Sequence, residues 1–298
     1  MKKLSGIGVA LVTPFNKQGA IDFKSIEKIV SFVIKEGVQY LVLLGTTGEA
    51  STLHIKEKID IINCVMNINR KNSKKLPVVV GIGSNNTEEV ILNLKKLTLN
   101  SVDAILSVCP YYNKPSQKGI FHHFKTISEN TDKNIIIYNV PHRTGTNISL
   151  ETINKLILKY ENIIGIKEAS GNILQSYNII NNKSKKNFAV LSGDDNLSLP
   201  IILGGGEGMI SVVGQAFPKE LSKMFKLACE NKVQEAYKIY FNIIKIYNII
   251  FKEGNPSGIK TLLKLKGLCN NYVRLPLMEC SKTLEQQIKL ELNSLKFY

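Results

Sequence analysis

Lys167 closes the apolar run Ile163-Ile164-Gly165-Ile166, after which Glu168-Ala169-Ser170-Gly171 turns the chain away. A lysine flanked by Ile164, Ile166 and Ala169 loses solvation, which penalises the ammonium and frees an amine that can add to a ketone as a Schiff base. The bland alternative is a lysine that snorkels its charge out of a strand end. Tyr138 ends the preceding apolar run, where a phenol can relay protons to such an amine if another hydroxyl orients it. Thr46 could supply that hydroxyl, although a strand-end tyrosine also serves simply as packing. In Gly45-Thr46-Thr47-Gly48-Glu49 the glycines allow a tight turn that points two hydroxyls and nearby N–H groups at one carboxylate. The same residue types also make a turn that caps a following helix. Arg143, in the loop after Pro141, carries the planar fork suited to a second carboxylate, or is merely solvated. Together these groups read as covalent chemistry on a keto acid.

Such side chains need a scaffold that brings several strand ends to one place. Apolar runs of strand length occur at 7–12, 40–44, 78–82, 104–108, 135–138, 163–166, 188–191 and 209–213. Between them lie segments with apolar residues at three-and-four spacing, such as Ile26, Ile29, Val30, Val33 and Ile34. Asp22 and the Thr87-Glu88-Glu89 stretch mark helix starts, and Gly37 and Gly119 sit at segment ends. The pattern predicts an α/β fold, a (β/α)8 TIM barrel over residues 1–228, with a helical C-terminal region over 229–298. In such a barrel the active site lies at the C-terminal ends of the strands. Beyond the eighth apolar run, Leu221 to Phe251, Ser257 to Lys266 and Ser281 to Leu295 read as helices, and this C-terminal extension is expected to pack on the barrel or on a partner subunit.

A formal net charge of +15 is spread along the whole chain, and its densest runs, Arg70 to Lys75 and Lys183 to Lys186, precede strands as solvated loops would. No nucleic acid is therefore expected as a partner, while a positive cleft for a small anion stays compatible. The five cysteines are odd in number and form no CxxC pair, so they read as reduced and buried. The four histidines have no HExxH spacing, and His122-His123 on a helix would point in two directions, so no metal site is expected. No Gly-Lys-Ser/Thr follows a glycine loop, and Gly81-Ile82-Gly83 lacks a third glycine, which argues against nucleotide cofactors. The start of the chain lacks a leader pattern, and no 18 residues run uninterrupted and apolar. A cytoplasmic protein without membrane contact is expected.

In order and spacing, Gly45-Thr46-Thr47-Gly48-Glu49, Pro110-Tyr111-Tyr112-Asn113, Tyr138-Asn139-Val140-Pro141 with Arg143-Thr144-Gly145, and Gly165-Ile166-Lys167-Glu168-Ala169 resemble the dihydrodipicolinate synthase family. The resemblance covers Gly6 to about Pro276. That family belongs to the pyruvate-dependent class I aldolases, which include N-acetylneuraminate lyase. The resemblance implies an imine of Lys167 with pyruvate, no cofactor, and a proton relay of Thr46, Tyr138 and Tyr112, with Tyr112 entering from a neighbouring subunit. It further implies that Thr47 and the main chain around Gly193 and Ile210 hold pyruvate, and that Arg143 receives the carboxylate of L-aspartate 4-semialdehyde. The implied product is 4-hydroxy-tetrahydrodipicolinate, the committed step of lysine and diaminopimelate biosynthesis, made by a homotetramer built as a dimer of dimers. A sialic-acid or keto-sugar-acid aldolase is the nearest alternative; Arg143 and Tyr111-Tyr112 favour a partner with a carboxylate over a neutral sugar. A basic binding protein on the same barrel is the alternative from another class.

Lysine-sensitive relatives bind L-lysine in a cleft between subunits. Tyr111, Asn85 and Glu89 match one end of that cleft, whereas Ala50, Ile55 and Lys58 depart from the serine and two histidines of enterobacterial-type members. Two like unit charges 4 Å apart repel by roughly 1 kcal/mol in water and about 4 at an effective dielectric of 20. Lys58 is therefore expected to make inhibition by lysine weak or absent.

Overall fold

The computed structural model describes residues 4–295. Eight parallel strands close into one barrel in chain order: β1 Gly6–Ala10, β2 Tyr40–Leu43, β3 Val78–Gly81, β4 Ala104–Val108, β5 Asn134–Asn139, β6 Ile163–Glu168, β7 Ala189–Ser192 and β8 Gly208–Ser211. After β1 and β2 come α1 (Phe23–Lys35) and α2 (Ile55–Lys71), and after β3 and β4 come α3 (Thr87–Lys96) and α4 (Gln117–Glu129). A short turn of helix, α5 (Pro141–Thr144), precedes α6 (Leu150–Lys159), and α7 (Ile173–Asn182) and α8 (Ser198–Leu203) follow β6 and β7. Beyond β8 run α9 (Pro218–Cys229), α10 (Val233–Ile250), α11 (Ser257–Leu265) and α12 (Lys282–Ser294).

The described chain divides into two compact units, one of Pro77–Ile210 with Leu4 and Ser5, the other of Gly6–Leu76 and residues 211–295. In the first, β3 to β8 pair in parallel, with Tyr138 opposite Lys167 and Lys167 opposite Leu191. The register slips between Ile135 and Ile136, so Ile164 is the extra residue of a bulge in β6. Ile105, Ile136, Ile137, Ile166 and Val190 are fully buried, as strands covered on both faces must be. In the second unit β1 and β2 pair in parallel, with Gly8 opposite Tyr40. A Cβ at Gly8 would lie 2.0 Å from the Tyr40 ring, so only glycine admits that buried tyrosine.

Helix starts follow local chemistry. Asp22 caps α1 by accepting from the Ser25 N–H, and the helix buries Ile26, Ile29, Val30, Val33 and Ile34. Asn86 caps α3, whose first turn carries Glu88 and Glu89 and whose last turn carries Lys95 and Lys96, in accord with the helix dipole.

Four expectations need correction. The helical run expected from Leu221 to Phe251 breaks between Cys229 and Val233, where Asn231 takes a left-handed conformation (φ 59°). The five cysteines are free, but only Cys109 and Cys269 are buried; Cys229 is exposed, because the last turn of α9 reaches solvent. Lys183 is not a solvated loop lysine, since its Nζ is bound by Glu207 at 2.8 Å and by the Phe188 carbonyl at 2.6 Å. Gly119, expected at a segment end, lies in the first turn of α4, its N–H accepted by Ser116 Oγ.

Candidate functional site

In the first unit, alternation along β5 and β6 points Tyr138 and Lys167 to one side and Asn139 and Glu168 to the other. Lys167 is 6% exposed and Tyr138 8%. The Lys167 Nζ stands 4.2 Å from the centroid of the Tyr138 ring, so the phenol lays its electron-rich face against the amine. Gly193, just past β7, keeps that lysine's path open: a Cβ there would lie 3.0 Å from both Cγ and Cε of Lys167 and 2.7 Å from the Ala169 Cβ. Ile210 is buried in β8.

On the opposite side, Glu168 accepts from Asn139 Nδ2 at 2.8 Å, the Ser170 N–H at 2.7 Å and Gln175 Nε2 at 3.3 Å. Asn139 Nδ2 also donates to Asn147 Oδ1 at 2.8 Å, and Asn147 and Gln175 exchange hydrogen bonds at 2.9 Å. This network locks the strand ends that carry Tyr138 and Lys167, and sequence reasoning missed it. The available signal was alternation, since the carboxylate next to a strand-end lysine must face away from it.

The loop after β4 is joined to the loop after β5 by the Tyr112 N–H donating to the Thr144 carbonyl at 3.3 Å and Thr146 Oγ1 donating to the Pro110 carbonyl at 2.8 Å. Tyr112 (φ 70°) and Lys114 (φ 45°) are both left-handed, a strained state for residues with side chains. Tyr112 is 87% exposed and Tyr111 38%. Arg143 is exposed on α5, which ends at Gly145 with φ 69°. Asn113 donates to the Asn85 carbonyl at 3.4 Å, and Glu89 accepts from Ser84 Oγ at 2.6 Å, so Asn85, Glu89 and the Tyr111 loop form one neighbourhood.

In the second unit, Thr46–Gly48 forms a single 3-10 turn directly after β2. Leu44 (φ 55°) and Glu49 (φ 52°), not the glycines, supply the left-handed residues around it. Thr46 is exposed and Thr47 buried. Thr47 Oγ1 accepts from Asn255 Nδ2 at 3.0 Å, and the Gly48 carbonyl accepts from Thr13 Oγ1 at 2.7 Å. Glu49 turns inward, with Oε1 at 2.5 Å from Lys260 Nζ and Oε2 accepting from the Arg274 N–H at 3.0 Å. Lys260 also donates to the Tyr272 carbonyl at 2.7 Å and lies 4.2 Å from the Phe15 ring centroid. Burial pushes the Lys260 ammonium down, against the pull of Glu49.

Arg274 grips Glu57 with two guanidinium nitrogens, at 2.5 and 2.9 Å, and donates to the carbonyls of Gly19 and Thr52. That hydrogen-bonded guanidinium holds the Glu57 carboxyl at about 2. Ala50 and Lys58 are half-buried and Ile55 is 38% exposed, with Ile55 and Lys58 one turn apart on α2. Glu49, Asn255, Lys260 and Arg274 were not singled out from sequence.

His122 and His123 do diverge: His122 is exposed, whereas His123 is buried, with Nδ1 2.9 Å from Thr87 Oγ1 and a pKa lowered to about 4 by burial. Among the described residues no group of three or more His, Cys, Asp or Glu could hold a metal ion, and no helix is long and apolar enough to cross a membrane.

Comparison with known proteins matches this chain over residues 3–295 to the Dihydrodipicolinate synthetase family. The 4-hydroxy-tetrahydrodipicolinate synthase of Karelsulcia muelleri (strain GWSS) is 68% identical over 295 residues, 99% of each chain. The crystal structure of the chloride-inhibited dihydrodipicolinate synthase from Acinetobacter baumannii complexed with pyruvate is 36% identical, with a TM-score of 0.92 over 97% of this chain and 98% of that one. A monomeric dihydrodipicolinate synthase variant is 34% identical, with a TM-score of 0.93 over 97% of this chain and 96% of that one. Matched almost from end to end, at 68% identity to one relative and with a family model over residues 3–295, the chain belongs to the dihydrodipicolinate synthetase family.

Proposed function

We propose that this chain is a lyase of the Schiff-base type that condenses pyruvate with L-aspartate 4-semialdehyde to 4-hydroxy-tetrahydrodipicolinate, the committed step of lysine and diaminopimelate biosynthesis. The family match and the synthase name of its relatives support the reaction. The observation that carries it is the buried Lys167 amine lying against the Tyr138 ring, on a path kept clear by Gly193.

The free Lys167 amine adds to the pyruvate ketone and expels water, leaving a protonated imine beside the ring face of Tyr138. That cation draws electrons from the adjacent methyl, which loses a proton to give an enamine. The enamine carbon attacks the semialdehyde carbonyl, the oxygen formed there takes up a proton, and the semialdehyde's own amine then closes on the imine carbon and releases Lys167. Thr46, Tyr138 and Tyr112 relay the protons, Thr47 with the main chain at Gly193 and Ile210 holds the pyruvate carboxylate, and Arg143 receives that of the semialdehyde. The imine itself is the electron sink, so the reaction calls for no metal or nucleotide.

An exposed tyrosine on a strained loop fits a residue that completes a partner's site, in a homotetramer built as a dimer of dimers in the cytoplasm. Mixing inactive Tyr112→Phe with inactive Lys167→Ala subunits is expected to recover part of the activity; a fully active monomer in sedimentation refutes the shared site. The central test is reduction with borohydride in the presence of pyruvate, followed by mass spectrometry of the labelled peptide. Lys167 is expected to carry one adduct and Lys167→Ala none, whereas stoichiometric labelling of another lysine refutes the mechanism.

A further inference from the structure

Glu49 and Lys260 are both fully buried, a costly arrangement that seldom stabilises a fold better than apolar residues of similar volume. What the pair does provide is a fixed point. Glu49 follows the Thr46–Gly48 turn directly and is left-handed, a state that persists only where the surroundings impose it. Both of its carboxylate oxygens are held by the C-terminal segment, one by Lys260 and one by the Arg274 N–H. Lys260 is itself fixed by the Tyr272 carbonyl and the face of Phe15. Two residues before Glu49, Thr47 Oγ1 accepts from Asn255, which leaves the threonine's own proton free to be donated elsewhere.

We propose that Lys260, acting through Glu49, is a positioning residue for the Thr46–Thr47 turn, so that the segment from Asn255 to Arg274 sets the hydroxyls that meet pyruvate. This rests on the reading of Thr46 and Thr47 given above. A turn released from Glu49 keeps its residues but loses their aim, and misplacement of about 1 Å costs on the order of a hundredfold in well-organised sites.

The test measures the pyruvate concentration that half-saturates borohydride trapping, with the melting temperature alongside, for full-length wild type, Lys260→Met, Glu49→Gln and the double variant Lys260→Met with Glu49→Met. The double variant exchanges the ion pair for apolar volume, so its melting temperature is expected to stay near wild type while half-saturation rises about tenfold. Lys260→Met alone leaves a buried carboxylate without its cation and is expected to lower both stability and affinity. Glu49→Gln keeps the shape and is expected to fall between wild type and the double variant. Half-saturation does not depend on how much of a sample is folded, so any variant that retains folded protein carries the measurement. Less than a threefold rise in the double variant, or affinity that recovers wherever stability recovers, overturns the proposal. Wild-type protein that traps no pyruvate at Lys167 overturns the reading of the site instead.

Discussion

Replacing Gly193 with alanine puts a methyl group where the Lys167 side chain now runs. The new Cβ would lie 3.0 Å from Lys167 Cγ and Cε and 2.7 Å from the Ala169 Cβ, against a comfortable carbon–carbon separation of about 3.8 Å. The lysine is the more mobile neighbour, so it yields by roughly 0.8 Å and leaves the face of Tyr138, where its Nζ now lies 4.2 Å from the ring centroid. A displacement of that size is expected to slow imine formation about a hundredfold. Overpacking one methyl costs about 1 to 3 kcal/mol, which lowers the melting temperature by about 2 to 4 °C per kcal/mol in a domain of this class of size. The assay is the time course of pyruvate trapping by intact mass, followed beside thermal unfolding. A variant that melts lower yet traps pyruvate within threefold of the wild-type rate refutes the idea that Gly193 aims the lysine.

Three further outcomes are expected. Tyr138→Phe keeps the ring under the Lys167 amine and removes only the hydroxyl, so turnover should fall about 10²- to 10⁴-fold with Lys167 still labelled by pyruvate and borohydride; wild-type turnover would remove Tyr138 from the proton relay. His123 has a folded pKa of about 4, below its ordinary 6.5, so the stability its neutral form contributes is complete above pH 6.5 and is lost as pH falls towards 4, by about 3 kcal/mol in total. Chemical denaturation of wild type and His123→Gln across that range should show the difference shrinking on acidification, and a constant difference refutes the assignment. Finally, L-lysine at saturating pyruvate should inhibit weakly or not at all, with sensitivity partly restored by Lys58→His together with Ile55→His; half-inhibition well below a millimolar would show that the charge at Lys58 is immaterial.

The barrel was legible because strands buried on both faces are written as unbroken apolar runs, and all eight such runs became strands. Their ends were less legible: β5 and β6 continue through Asn139 and Glu168, polar residues that pair with each other across the ladder. Lys167 and Tyr138 were legible as neighbouring strand-end residues, which the register places opposite each other, but local spacing alone left snorkelling and packing open as alternatives, and it was the family resemblance that favoured chemistry. The anchors of the Thr46–Thr47 turn could not, since Asn255 lies 208 residues from Thr47 and Lys260 lies 211 from Glu49, and no local pattern encodes a partner so distant. The break between α9 and α10 contains neither glycine nor proline, and Asn231 turns there because asparagine tolerates the left-handed conformation.

The distance between Glu49 and Lys260 also sets an order of events during synthesis. Ribosomes add about 5 to 20 residues per second, so Glu49 waits roughly 10 to 40 s for a cation made 211 residues later. Throughout that interval its carboxylate has neither Lys260 nor the Arg274 N–H to bury against. A chain halted on the ribosome at residue 250 already contains Lys167 and every barrel strand, yet it is expected to capture pyruvate poorly until residues 255 to 274 emerge. Capture at full strength by such a nascent chain would show that the turn finds its shape unaided. On the positioning proposed above, residues 255 to 274 are expected to act as a completion signal, withholding chemistry from a barrel that is not yet finished.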